Sequence, residues 1–252
     1  MSTQSEEMRR ELEEIFDAFP HIHTNDIPGI DLYMDQVTTF LQDNLRGLSR
    51  DPEGDKFLTK TMINNYVKNK VLFPPVKKKY NRDHIMLLIV IYYMKSFLSI
   101  GDIRSVIGPI MDRYAEIPMD RKKDTADRKK EPADRRKDSA DRKKEQAERR
   151  KESPDSQKDS ADRKKEQAER GEEPLRIRDI YESLFSDIEA ELPRIREDME
   201  ESIQFASERF GDLPEEEREE LQRLSLICRL SAEVYMRKIF IEKLLDAGNT
   251  QE

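Results

Sequence analysis

Two short clusters of side chains in this sequence are suited to holding a nucleic acid. The first is Lys60, Thr61, Asn64, Asn65 and Lys68, which recur at helical spacing. An Asn amide can make a paired contact with adenine in the major groove, and the ammonium groups beside it can rest on phosphates. The second is Lys77, Lys78, Lys79 and Tyr80, just after Pro74–Pro75. Lysines there suit phosphate contact, which gives affinity without sequence choice. Tyr80 either joins them or packs beneath them. The plainer readings are a solvated helix face and a basic loop. That the two clusters adjoin favours DNA contact for both.

Other chemistry finds little support. His21, His23 and Asp26 are spaced as a weak metal-ligand set, with no cysteine and no third histidine nearby, so a structural role is expected. His84 opens an apolar segment and reads as structural. Cys228, the single cysteine, excludes an internal disulfide and reads as a buried, inert thiol. No nucleophile–base pair, phosphate-binding glycine loop or carboxylate dyad stands out. The expectation is a protein that is not an enzyme and that needs no metal or cofactor.

The elements that must position these clusters follow from periodicity. A charged helix is expected over 6–18, and a Pro/Gly/Asn/Asp-rich loop follows it. Asp31 reads as the N-cap of a helix running to about Leu48, with Leu32, Met34, Val37, Phe40, Leu41, Leu45 and Leu48 apolar. Thr59 or Thr61 caps the next helix, which runs to about Asn69 with Met62, Ile63, Tyr66 and Val67 inward. Val76–Asn81 reads as an extended hairpin or loop. Arg82–Phe97 is apolar nearly all round, as expected of a helix buried between layers. A short helix, Ile100–Ile107, is expected to stop at Gly108–Pro109. Farther on, a long amphipathic helix runs from Ile177 to Phe210, with Pro193 expected to kink it and Phe205 off its core stripe. A turn at Gly211–Pro214 leads to a last helix, Glu215–Ala247, with Leu221, Leu224, Ile227, Leu230 and Val234 among its core positions. Two long helices joined by a tight turn predict an antiparallel hairpin. Its apolar faces call for cover from the N-terminal part or from a second chain.

Between these parts stands a seven-residue tandem repeat that begins DRKKDTA at Asp120. Seven is the coiled-coil period, yet each unit offers one apolar position, usually Ala, so no seam can form. Pairs such as Asp124–Arg128 and Glu131–Arg135 would each favour a helix by roughly 0.2–0.5 kcal/mol. Pro132 and Pro154 oppose it by roughly 3 kcal/mol each. A broken ionic helix in exchange with disorder, acting as a spacer, is the expectation.

Charge separates the segments. Residues 55–110 are net +7, whereas residues 1–54 are net −8 and residues 175–252 are net −9. The basic block is thus the one that joins a positive field to core-forming residues. With 40% charged residues, no Trp and 8 Gly, a β-sandwich or barrel is disfavoured. The longest apolar run, Ile85–Met94, is ten residues, half of the ~20 a membrane helix needs, and the acidic N-terminus shows no signal peptide. A soluble cytoplasmic protein is expected.

The segment Thr61–Ile107 resembles the MerR-type winged helix-turn-helix. Ile63, Tyr66, Val71, Leu72 and Pro74 keep its hydrophobic and turn positions, Lys79–Tyr80 its wing end, and Phe97–Ile103 its last element. Asn64 and Asn65 stand where that family has Arg and Tyr, and Lys70 replaces the turn glycine. A closer likeness is to an uncharacterised bacterial family, domain of unknown function 1836. Asp31–Gln36, Thr59–Lys68 and Lys78–Tyr80 carry it, over about residues 26–110 and more weakly over 176–247. The resemblance implies a helix-turn-helix fold and no assigned activity.

Taken together, these features predict an all-α, mainly helical chain. It comprises an N-terminal acidic helix (1–25), a MerR-like winged helix-turn-helix domain (26–110), a charged repeat linker (111–175) and a C-terminal helical hairpin (176–247). The expected function is a DNA-binding transcriptional regulator. Helix 61–69 would enter the major groove and the Lys-rich wing would lie on phosphates. The expected partners are double-stranded DNA and a second copy in a homodimer. The alternative is a non-enzymatic adaptor whose winged helix no longer binds DNA.

Overall fold

The computed structural model describes residues 3–20, 22–49, 58–114 and 175–249. The chain divides into two units, one formed by residues 1–112 with 177–252 and the other by 113–176. The charged repeat and its expected ionic helix lie outside the described residues. The first unit is mainly helical. Its elements in chain order are α1 (Thr3–Asp17), β1 (Leu32–Tyr33), α2 (Met34–Leu45), α3 (Lys60–Lys68), β2 (Lys79–Tyr80), α4 (Arg82–Met94), α5 (Ile100–Tyr114), α6 (Ile177–Ser207) and α7 (Glu215–Asn249). None of these helices is long and apolar enough to cross a membrane.

Helix α4 is the most buried of the described helices. His84, Ile85, Met86, Leu87, Leu88, Ile89 and Ile91 are all buried, so neighbours cover nearly every side of it. Its start is fixed by Asn81, whose side chain accepts from the His84 backbone N–H at 3.2 Å. Helix α2 contributes buried Val37, Leu41 and Leu45, and α5 contributes buried Ile103, Ile107 and Met111. Both sets recur every four residues, which builds one buried stripe per helix.

Several boundaries differ from the sequence reading. Helix α2 starts after Tyr33 rather than Asp31, because Leu32 and Tyr33 are taken up by a strand pairing with β2. Its first turn is closed by the Tyr33 N–H donating to Gln36 Oε1 at 2.9 Å. Helix α4 ends at Met94, before Phe97. Helix α5 runs past Gly108 and holds Pro109 in its interior. Continuing for another turn buries Met111 in register with Ile107, which offsets the hydrogen bond that proline removes.

Helix α6 packs on α1, α4, α7 and the short turn Thr24–Asp26. Ile177, Tyr181 and Phe185 are its buried residues at the N-terminal end. The Tyr181 hydroxyl donates to the Ile22 carbonyl at 2.8 Å, and its ring stacks on Phe185 with centroids 4.3 Å apart. Tyr93 of α4 meets Phe185 edge-on at 5.6 Å. Burial pushes the Tyr93 hydroxyl up to about 12, with neighbouring Tyr92 adding to it, and raises that of Tyr181 as well. Toward the other end, Arg9 of α1 donates to Gln204 at 2.9 Å and Gln4 donates to the Glu219 carbonyl at 3.0 Å. A close approach joins α1 to the turn after α2, where a Cβ on Gly47 would lie 2.0 Å from the Ala18 carbonyl oxygen.

Helix α7 departs most from expectation. It meets α6 through Gln222, which donates to the Ser207 and Arg209 carbonyls at 2.7 and 2.9 Å, and through Arg229, which donates to Ser202 Oγ at 2.9 Å. Yet Leu224, Ile227, Val234, Tyr235, Met236, Phe240 and Leu244 are exposed, although Leu224, Ile227 and Val234 stand among the expected core positions. Cys228 is likewise exposed rather than buried. The hydrogen bonds between α6 and α7 involve Ser202, Ser207 and Arg209, and no described residue of α7 beyond Gln222 is buried.

Candidate nucleic-acid interface

Helix α3 is set by its ends. Thr59 is the cap, its hydroxyl accepting from the Met62 N–H at 3.2 Å. Ile63 and Tyr66 are buried, α3 packs on α2, and burial raises the Tyr66 pKa. With that side fixed, Thr61, Asn64, Asn65 and Lys68 are left exposed together. They fall at i, i+3, i+4 and i+7, which is one face of a helix.

Two residues of this cluster have local partners. Lys60 forms an ion pair with Asp35 in the first turn of α2. It ties the two helices together and is itself exposed, one turn before Asn64 on the same side of α3. Spacing along α3 groups it with the other four and cannot reveal a partner from α2. Asn65 accepts from Asn69 Nδ2 at both its side-chain and its backbone oxygen, at 3.2 and 2.8 Å. Asn69 thus closes the last turn of α3.

The exit from α3 needs an unusual backbone. Lys70 has φ 58°, the left-handed conformation that glycine adopts most readily. The turn it makes lets the Val71 and Leu72 N–H groups both reach the Tyr66 carbonyl, at 2.9 and 3.2 Å. This is how helices commonly satisfy their final carbonyls. Val71, Leu72 and Phe73 then enter the core. Phe73 lies against the His84 ring with centroids 3.8 Å apart.

After Pro74–Pro75 the chain makes a two-residue reversal. Val76 and Lys79 exchange both backbone hydrogen bonds, N to O at 3.1 and 2.9 Å, with Lys77 and Lys78 at the tip. Both tip residues have positive φ, 50° and 64°. Such a turn ordinarily carries Asn or Gly, so the two lysines hold a strained backbone in place. Their side chains are exposed. Lys79 is half-buried and pairs with Tyr33 across the β1–β2 ladder, its Nζ 5.3 Å from the ring centroid.

Tyr80 is different. It pairs with Leu32, is only 3% exposed, and meets His84 edge-on with centroids 5.2 Å apart. Burial raises its pKa. Tyr80 therefore packs beneath the lysine turn and is removed from the set of phosphate contacts. Sequence had left both options open.

Other residues that sequence reading missed hold this frame. Arg82, in the first turn of α4, donates to the Ile27 carbonyl from Nε and Nη2, at 3.1 and 2.8 Å. It clamps the loop that feeds β1. Its place next to the cap Asn81 was the one available signal. Of the weak metal set, His21 lies outside the described residues. His23 Nε2 lies 3.8 Å from Glu189, and the Asp26 carboxylate accepts from the His23 N–H at 2.9 Å. Nearby, the Thr24 hydroxyl donates to Glu182, and with Arg178 this holds the Glu182 carboxyl below its ordinary pKa.

No curated protein and no solved structure matches this chain. Residues 22–125, which include both β-strands and helices α2 to α5, match the model of a family described as Domain of unknown function (DUF1836), and this match supports the domain-of-unknown-function family for the part of the chain that carries the exposed face of α3 and the lysine turn.

Proposed function

We propose that the chain is a DNA-binding transcriptional regulator of the winged helix-turn-helix type. In this reading α2 and α3 are the helix-turn-helix pair and the Val76–Lys79 turn is the wing. Thr61, Asn64, Asn65 and Lys68 face the major groove, and Lys77, Lys78 and Lys79 lie on flanking phosphates. The observation that supports it best is the one exposed face shared by Thr61, Asn64, Asn65 and Lys68 on a helix whose other side is buried through Ile63 and Tyr66. Asn amides there can read adenine edges, and lysines at the turn supply the salt-sensitive part of the affinity.

The C-terminal helices form an antiparallel hairpin that serves dimerisation or sensing. The exposed apolar side chains of α7 support self-association. A two-fold dimer would then meet paired half-sites about 34–36 Å apart.

The test is binding of random-sequence duplex DNA at several salt concentrations by wild type and by the Lys77→Glu, Lys78→Glu double variant. Wild type should bind with a steep salt dependence. The double variant should bind far more weakly and with a shallower slope. Equal binding by both proteins removes the wing from the interface.

A second reading is favoured by the same α7 residues together with the net −9 charge of residues 175–252, which repels phosphate. It is a protein-interaction adaptor with a winged-helix fold that no longer binds DNA. A wild-type chain that shifts no DNA pool at low salt, yet forms one stable complex through α7, would favour it.

A further inference from the structure

A half-open cavity of about 610 Å³ lies on the inner side of α3. Met62 and Tyr66 of α3 form one wall, Tyr92 of α4 and Lys95 after it a second, and Leu98 and Ile103 a third. Its size falls within the ~300–1,000 Å³ of small-molecule sites, which are typically apolar with a few polar groups that set orientation. Among the described lining residues there is one cation, Lys95, and no carboxylate. The Lys95 ammonium stands 4.5 Å from the Tyr92 ring centroid. It also offsets the negative end of α4, which otherwise disfavours an anion at this position. Ile100, which also lines it, is 38% exposed at the surface.

We infer that this cavity binds a small amphipathic anion, with an apolar body against Met62, Tyr66 and Ile103 and a carboxylate or sulfonate head at Lys95, and that occupancy is felt by α3. Met62 and Tyr66 stand on the same short helix as Asn64, Asn65 and Lys68, on its opposite side. A ligand that prefers one position of Met62 and Tyr66 biases the position of the outward face by its difference in affinity between the two. Binding itself is independent of the proposed function. Only the meaning of the α3 response, as control of DNA reading, rests on it.

The experiment uses the full chain with decanoate as the anionic ligand and 1-decanol as its neutral counterpart, each displacing the fluorophore 8-anilinonaphthalene-1-sulfonate. Decanoate should saturate one site per chain. Lys95→Gln should weaken decanoate about tenfold, the size expected when a hydrogen bond to a charged group is lost, and leave 1-decanol unchanged. Ser96→Trp fills the cavity from a position that is exposed at its edge, and should abolish both while the circular dichroism spectrum is retained. Amide hydrogen exchange across Lys60–Lys68 should slow when decanoate is bound. Absence of saturable decanoate binding, or equal affinity in Lys95→Gln, overturns the site. Saturable binding with unchanged exchange in α3 overturns the coupling. None of these measurements involves DNA, so a chain that fails to bind DNA would sink the proposed function and leave this result standing.

Discussion

Lys79 stands directly across the β1–β2 ladder from Tyr33, with its ammonium 5.3 Å from the ring centroid. Tyr33 is also the residue from which α2 departs, so a lysine of the turn is anchored to the start of the preceding helix. Lys79→Ala should cost about 0.5–1 kcal/mol, the scale of a solvent-exposed cation–π contact. Lys79→Arg should retain most of it. Urea denaturation of the two variants checks this, and equal loss in both would show that the ring contact contributes nothing.

The left-handed tip makes an opposite prediction for stability and binding. Replacing Lys77 by Asn and Lys78 by Gly removes the strain, and should stabilise the protein by about 1–2 kcal/mol in all. The same change removes two charges. If both touch phosphates, the slope of log affinity against log salt should fall in magnitude by about 1.8. A variant that gains stability and keeps the full slope would move the phosphate contact elsewhere.

Gly47 has no room for a side chain. Its Cβ would meet the Ala18 carbonyl oxygen at 2.0 Å, and backbone cannot swing aside as a side chain can. Gly47→Ala should destabilise by about 1–3 kcal/mol. Thermal melting followed by circular dichroism measures it, and a melting temperature within a degree of wild type would contradict the close contact.

Tyr93 buries a hydroxyl that finds no hydrogen-bond partner among the described residues. Removing an unsatisfied polar atom relieves its desolvation cost, so Tyr93→Phe should be neutral or stabilising by up to about 2 kcal/mol. Tyr181→Phe is the matched control. It removes the donor to the Ile22 carbonyl and should cost about 1 kcal/mol. The two substitutions should therefore differ in sign or clearly in size in the same denaturation series.

Glu182 gives a pH dependence. Its hydrogen bond from Thr24, and then that from Arg178, lower its pKa in the folded chain. A carboxyl depressed on folding stabilises above its unfolded pKa, and that contribution is lost as pH falls through the folded value. Stability should thus decline on acidification below the ordinary glutamate range, and Thr24→Val should flatten the decline. A carbon-detected titration of the Glu182 side chain should show its midpoint rising in that variant.

Much of this was legible in the sequence, for reasons that differ by element. Ile63 and Tyr66 at helical spacing fixed which side of α3 turns inward, and thereby which residues turn out. The run from His84 to Ile91 announced a helix covered on nearly every side. Pairings between distant segments were not legible. Nothing near Lys60 names Asp35 as its partner, and nothing near Arg82 names the Ile27 carbonyl. Tyr80 has amphipathic chemistry, so its type is compatible with the surface or the core, and only the pairing with Leu32 decides. Pro109 shows the limit of a local rule, since the burial of Met111 lay two residues beyond the residue that should have ended the helix. The exposure of α7 was hidden for a related reason. An apolar face predicts cover, and periodicity cannot say whether the same molecule supplies it.

The bond from Tyr181 to the Ile22 carbonyl joins residues 159 positions apart, and α1 and α4 likewise find part of their cover on α6. During synthesis, at ~5–20 residues per second, the segment from α1 to α5 therefore waits on the order of five to twenty seconds before α6 has been made. Over that interval the aromatic face of Phe19 and Tyr93 has no Phe185 to meet. A nascent chain in that state is the form a holdase chaperone would recognise, and the native unit closes only once translation has passed Ser207.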